Sequence, residues 1–224
     1  TFATVTTNPN YIEYCYNVSA FWSTDNYGDL ESQHSNIACA IPFTYGDVDF
    51  DSDCDISDVL SAVDFILEVA YPNDDEFRNV DINNDEQINI ADVIMMVDII
   101  FGGTGRAFDF DPSQIAFIDL FTSQDNTDLM LNIEYESPIR GIQFELAYDS
   151  KQVEIFNPKM VSLNENVIIS KQSIENGKVK IVIFNSTGEE IKSDNQSYLK
   201  IPFEFISSEN IISNVMIENV LIAG

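Results

Sequence analysis

Apolar residues at Val59, Leu60, Val63, Ile66 and Leu67 recur at i, i+1, i+4, i+7 and i+8, the spacing of one helix face. The same spacing returns 34 residues later at Val93, Ile94, Val97, Ile100 and Phe101, and Asp64 has its counterpart in Asp98. Elsewhere the period is two. Residues 13–20 alternate, with Tyr14, Tyr16, Val18 and Ala20 on one face; a turn-rich stretch follows over 23–35, and 36–40 predicts a second strand. Beyond a stretch with three Gly and a Pro (102–113), strands are predicted over 115–121, 129–135, 142–148, 153–156, 167–170, 179–184, 199–206 and 215–222. Turns such as Asn176-Gly177 and Thr187-Gly188 separate them. The pattern predicts a mostly β chain with a small α module, and eight short strands without helices between them predict a β-sandwich.

The residues before each helical stretch carry the chemistry. Residues 47–58 read DVDFDSDCDISD and residues 81–92 read DINNDEQINIAD. Oxygen-bearing side chains fall at loop positions 1, 3, 5, 9 and 12 in both, the ligand spacing of an EF-hand-type calcium loop. A hard cation that takes six to eight oxygens needs alternate side chains of a tight loop turned inward. The first set is Asp47, Asp49, Asp51, Asp55 and Asp58, with the carbonyl of Asp53 at position 7. The second is Asp81, Asn83, Asp85, Asn89 and Asp92, with the carbonyl of Gln87. Two calcium ions are therefore expected. Position 6, normally Gly, is Ser52 and Glu86, so a positive φ there costs roughly 1 kcal/mol in each loop. Glu86 marks the loop expected to lose its ion first. Position 12 is Asp, a shorter arm than the usual Glu. Metal-free, six Asp side chains within twelve residues would repel one another.

Pro42 and Gly46 exclude a long helix entering the first loop, so each unit is a loop followed by a helix. This duplicated arrangement resembles a dockerin over about 45–103. The resemblance implies docking to a cohesin-type domain through loop positions 10 and 11, which here are Ile56 and Ser57, and Ile90 and Ala91.

Residues 1–41 resemble the last strands of a fibronectin type III domain, with Tyr14 placed like a tyrosine-corner residue. Cys15 and Cys39 lie on its two candidate strands, and a cross-strand disulfide is expected; two free thiols are the alternative. Cys54, at loop position 8, stands where Ile88 stands in the repeat and reads as a small core hydrophobe. Residues 104–114 read as a linker. Residues 115–224 resemble a cohesin-like sandwich of jelly-roll type, carried by IRGIQFELAYD at 139–149, QVEI at 152–155, GKVKIVIF at 177–184 and YLKIPFEF at 198–205.

Charge narrows the partners. The formal net charge is −28, which repels nucleic acid and anionic membrane surfaces. No apolar run approaches the roughly 18 residues of a membrane span. No signal peptide stands at residue 1, and the chain starts inside a strand-like pattern, as expected of a portion of something longer. His34, the single His, sits in a polar turn, and Glu134 and Glu136 share one strand face as an exposed edge. No nucleophile elbow or phosphate loop is present, and catalysis is not expected. The expected function is a non-catalytic, extracellular or cell-surface, calcium-dependent assembly protein. Its partner is a cohesin-like domain of the same chain or of another, and docking on the next chain would propagate into a filament. The alternative is an accessory or targeting region of a secreted glycan-degrading enzyme.

Overall fold

The computed structural model describes residues 10–24, 28–103, 116–162, 165–174, 177–193, 197–206 and 215–223. The expected linker 104–114, the first residue of the first expected sandwich strand and Asn176 of the Asn176-Gly177 turn lie outside them.

Four short strands open the chain: β1 (Tyr14–Tyr16), β2 (Phe21–Thr24), β3 (Gly28–Glu31) and β4 (Ala38–Ala40). Strand β1 pairs antiparallel with β4, and β2 with β3. Ser32 N to Ala20 O and Ser35 N to Val18 O, both at 2.8 Å, carry the ladder between the two pairs. The stretch read as turns thus continues the two strands as one ribbon, because Phe21, Trp22 and Leu30 supply strand residues on either side of the reversal. Cys15 lies opposite Cys39 in the register, and the two are joined by a disulfide. The ribbon leaves Tyr16, Val18, Phe21, Trp22 and Ile37 exposed.

Three helices follow: α1 (Ile56–Ile66), α2 (Asp74–Val80) and α3 (Ile90–Ile100). Each begins with a capping box. The pairs are Asp55 with Asp58, Asn73 with Glu76, and Asn89 with Asp92. Loop positions 9 and 12 are therefore also the helix cap and its third residue, where a short carboxylate reaches back to the cap N–H. Helix α2 was not visible in the apolar pattern, since only Phe77 and Val80 are apolar in it. Helices α1 and α3 pack together, with Val59, Ala62, Val63, Ile66, Val93, Met96 and Val97 buried between and around them.

Nine strands make the rest: β5 (Phe117–Thr122), β6 (Asp128–Glu134), β7 (Gly141–Ala147), β8 (Val153–Ile155), β9 (Lys159–Met160), β10 (Val167–Ile174), β11 (Lys178–Asn185), β12 (Ser197–Phe205) and β13 (Met216–Ala223). They form two sheets, ordered β10-β11-β7-β13 and β5-β6-β12-β8, with β9 also paired to β12. Leu131, Ile133, Phe144, Leu146, Ile181, Ile183 and Leu199 fill the space between them, so this half is a β-sandwich.

The first sheet is covered on both faces. In β11, Val179, Ile181 and Ile183 point into the sandwich, while Val182 and Phe184 join the core of the helical module together with Ala223 of β13. The order of layers is helices, sheet, sheet. This placement corrects one expectation about the apolar helix face. Leu60, expected on that face, is 47% exposed, whereas its counterpart Ile94 is 1% exposed. Among the described residues, α3 packs on β7, β11 and β13, while Ile56 and Leu60 on the equivalent side of α1 are exposed.

Candidate functional site: two loops and a docked helix

The two loops share one set of backbone-to-side-chain hydrogen bonds at the 34-residue offset. Asp47 Oδ1 accepts from Asp51 N at 3.1 Å, as Asp81 Oδ1 does from Asp85 N at 3.1 Å. Asp47 Oδ2 accepts from Ser52 N at 2.9 Å, and Asp81 Oδ2 from Glu86 N at 3.1 Å. Asp58 Oδ2 accepts from Asp55 N at 2.8 Å, and Asp92 Oδ2 from Asn89 N at 3.0 Å. Asp58 Oδ1 and Asp92 Oδ1 close the ring on Val48 N and Ile82 N. Asp49, Asp51, Asn83 and Asp85 each accept from the backbone two residues on, which holds their oxygens against the loop. Asp53 and Gln87 supply those N–H groups for Asp51 and Asp85. Position 6 takes the left-handed backbone in both loops, with φ of 85° at Ser52 and 66° at Glu86. Phe50 and Asn84, at position 4, do the same at 64° and 55°.

The residues of the first loop fit a calcium ion. Carboxylate oxygens of Asp47, Asp49 and Asp58 lie within 4.8 Å of one another. Two oxygens each about 2.3–2.6 Å from one ion stand at most about 5 Å apart. Every donor is oxygen, the donor type a hard cation takes. The acid of loop position 12 is buried in both loops, and burial raises both carboxyls. Asp92 is pushed up to about 7, the charges of Asp85 and Asp81 adding to burial while the N–H groups of Asn89 and Asn83 oppose it. Asp53 is also raised, mainly by the Asp51 charge beside it. A divalent ion among these oxygens would reverse that balance. Cys54 is half-buried against the helical core, and burial lifts its thiol to about 12, so it stays protonated and inert.

The four residues marked for docking separate into two environments. Ile90 is buried and Ala91 partly buried, whereas Ile56 and Ser57 are exposed. Ile90 and Ile94 rest on Gly141 of β7, where a Cβ would stand 2.6 Å from Ile90 Cγ1 and 3.1 Å from Ile94 Cδ1. Gln143 of β7 accepts from Ile90 N at 3.1 Å, satisfying a donor at the first turn of α3 that the helix itself leaves free. Lys180 of β11 reaches Glu68, just past α1, at 2.6 Å and Glu145 of β7 at 3.6 Å. Glu68, Gly141, Gln143 and Lys180 were not marked as contact residues in the sequence. Gly141 carried a signal, since Gly inside a strand often marks the close approach of another element.

The fold and this site together define a duplicated loop–helix module packed on one face of a β-sandwich. Protein-family models give no match to the chain, and neither do the curated proteins. Among solved structures, the chain is similar to a cohesin module from a Clostridium perfringens family 33 glycoside hydrolase, with 15% identity over 50% of this chain and 84% of that one and a TM-score of 0.35. It is also similar to the sixth cohesin of Acetivibrio cellulolyticus scaffoldin B, solved in complex with a Cel5 dockerin mutant, with 20% identity over 50% and 82% and a TM-score of 0.33. A third is the Coh-OlpC–Doc435 cohesin–dockerin complex of Clostridium thermocellum, with 15% identity over 51% and 84% and a TM-score of 0.35. No helix among the described residues is long and apolar enough to cross a membrane.

Proposed function

We propose that the chain is an extracellular, calcium-dependent docking protein whose loop–helix module is a dockerin-like plug and whose sandwich is a cohesin-like socket. One observation carries this reading: Ile90 and Ile94 of the second repeat sit on Gly141, while their counterparts Ile56 and Leu60 in the first repeat stand 45% and 47% exposed. The module thus meets its own sandwich through α3 and leaves the equivalent α1 side for a second socket on another chain. Calcium in the two loops would hold both helix starts in place, because the ligating positions 9 and 12 are also the capping boxes.

Two substitutions separate the sides. Ile56→Asp is expected to abolish binding of added sandwich domain in trans while leaving the chain compact and both calcium sites intact. Ile90→Asp buries a carboxylate against Gly141 and is expected to release the module from its own sandwich. Sedimentation velocity in calcium and in chelator reads both. A wild-type chain that stays monomeric at every concentration and captures no added sandwich domain would sink the trans reading.

A further inference from the structure

The first loop is tied to a segment outside the repeat. Tyr11 precedes the ribbon, yet its hydroxyl donates to Asp47 Oδ2 at 2.6 Å. Asn79, fully buried in α2, donates through Nδ2 to Tyr11 Oη at 3.2 Å and to the Asp47 carbonyl at 2.5 Å. The Tyr11 ring meets Phe50 of the loop edge-on at 5.0 Å between centroids. Its backbone is held as well: Tyr11 N donates to Pro42 O at 2.8 Å, and Asn10 Nδ2 donates to Thr44 Oγ1 at 2.6 Å. Tyr11 adopts φ of 64°, a region a bulky residue enters only when its surroundings force it. The hydrogen bonds to Asp81, at the same position of the second loop, come from the backbone of Asp85 and Glu86.

We propose that Tyr11 is a positioning residue for the calcium ion of the first loop, oriented by Asn79, and that calcium in this loop fixes the N-terminal ribbon to the helical module. This rests on the calcium reading of the loops. The position-1 carboxylate of an EF-type loop must turn one oxygen to the ion. A hydroxyl on Oδ2 leaves Oδ1 as the freer oxygen and fixes the plane of the group, as outer hydrogen bonds do around metal ligands generally. The coupling runs both ways: an ion that orders Asp47 also orders the acceptor that Tyr11 needs, so ribbon docking and first-site occupancy strengthen each other by the same factor.

Calcium titration of the wild-type chain and of Tyr11→Phe, followed by calorimetry, tests this. The phenyl ring keeps the contact with Phe50 and removes only the hydroxyl, so helix content in saturating calcium should not change. One of the two sites is expected to weaken by about 10- to 100-fold while the other holds its affinity. Combining Tyr11→Phe with Asp85→Ala, which disables the second loop, identifies the weakened site as the first. Limited proteolysis gives the second readout. Cleavage near residue 12 should be suppressed by calcium in the wild type and much less so in Tyr11→Phe. Two unchanged affinities and unchanged protection would overturn the proposal and leave the calcium reading standing. No calcium uptake by the wild type would overturn both.

Discussion

Gly141→Leu is expected to lift the helical module off the sandwich while both halves stay folded. The missing side chain at Gly141 is filled by Ile90 and Ile94, and even a Cβ would lie 2.6 Å from Ile90 Cγ1. Extra methylenes in a packed site cost about 1–3 kcal/mol when neighbours can move aside. Here the neighbours are β-branched isoleucines on a helix, stiff at χ1, so the relief open to them is movement of α3 as a body. Undocking loses the Gln143–Ile90 hydrogen bond and the Lys180–Glu68 pair with it. The sandwich should not suffer, because position 141 faces the helices and a strand gains from a side chain. Small-angle scattering should show a larger radius of gyration, and hydrogen exchange should rise along α3 and on β11 around Val182 and Phe184. Calcium uptake by the two loops, the proposed sites, should match that of the wild type. An unchanged radius with unchanged exchange would mean that Gly141 does not set the contact.

The site was more legible than the layers. Both loops and both trailing helices could be read because ligand spacing and helix period repeat at one offset, and a repeat carries its own control. Strand positions in the sandwich emerged within a few residues for the same kind of reason, since alternation survives wherever one face is dry. The packing of the module on the sheet was not read, although it left marks. Residues 181–184 of β11 are apolar without a break, the signature of a strand covered on both faces. Helix α2 is short and polar and exists through its Asn73–Glu76 capping box, a local signal that an apolar periodicity misses. Leu60 was placed inside because sequence periodicity marks a face as apolar without saying whether a partner covers it. Tyr11 was invisible for a different reason: its contact with Asp47 spans 36 residues, and no local pattern encodes such a tie.

If the two loops hold calcium as proposed, stripping it is expected to dissolve the helical module and with it the contact to the sandwich. The two loops bring Asp47, Asp58, Asp81 and Asp92 out of water, and α1 and α3 each start from a capping box made of residues proposed as calcium ligands. Without a cation the buried acids are stabilised by protons instead. Burial pushes the Asp92 carboxyl to about 7, from an unfolded value of 3.8, and raises Asp58 as well. Folded pKa values above the unfolded ones favour the folded state below the unfolded pKa, and that contribution is lost as pH rises through the folded pKa. The metal-free module should therefore weaken between about pH 4 and 7, by on the order of 4 kcal/mol from a three-unit shift at Asp92. Calcium bound as proposed would invert the slope, because it takes the deprotonated acids and protons compete with it. At a thousand times the dissociation constant each site adds about 4 kcal/mol, so the two outweigh the loss at neutral pH. Far-UV circular dichroism with chelator should show helix at pH 4 that fades toward pH 7 and returns on adding calcium. The β signal of the sandwich should persist throughout, since none of the described residues of its core belongs to the segments 47–58 or 81–92. Helix content that ignores both chelator and pH would remove calcium from the account of this module.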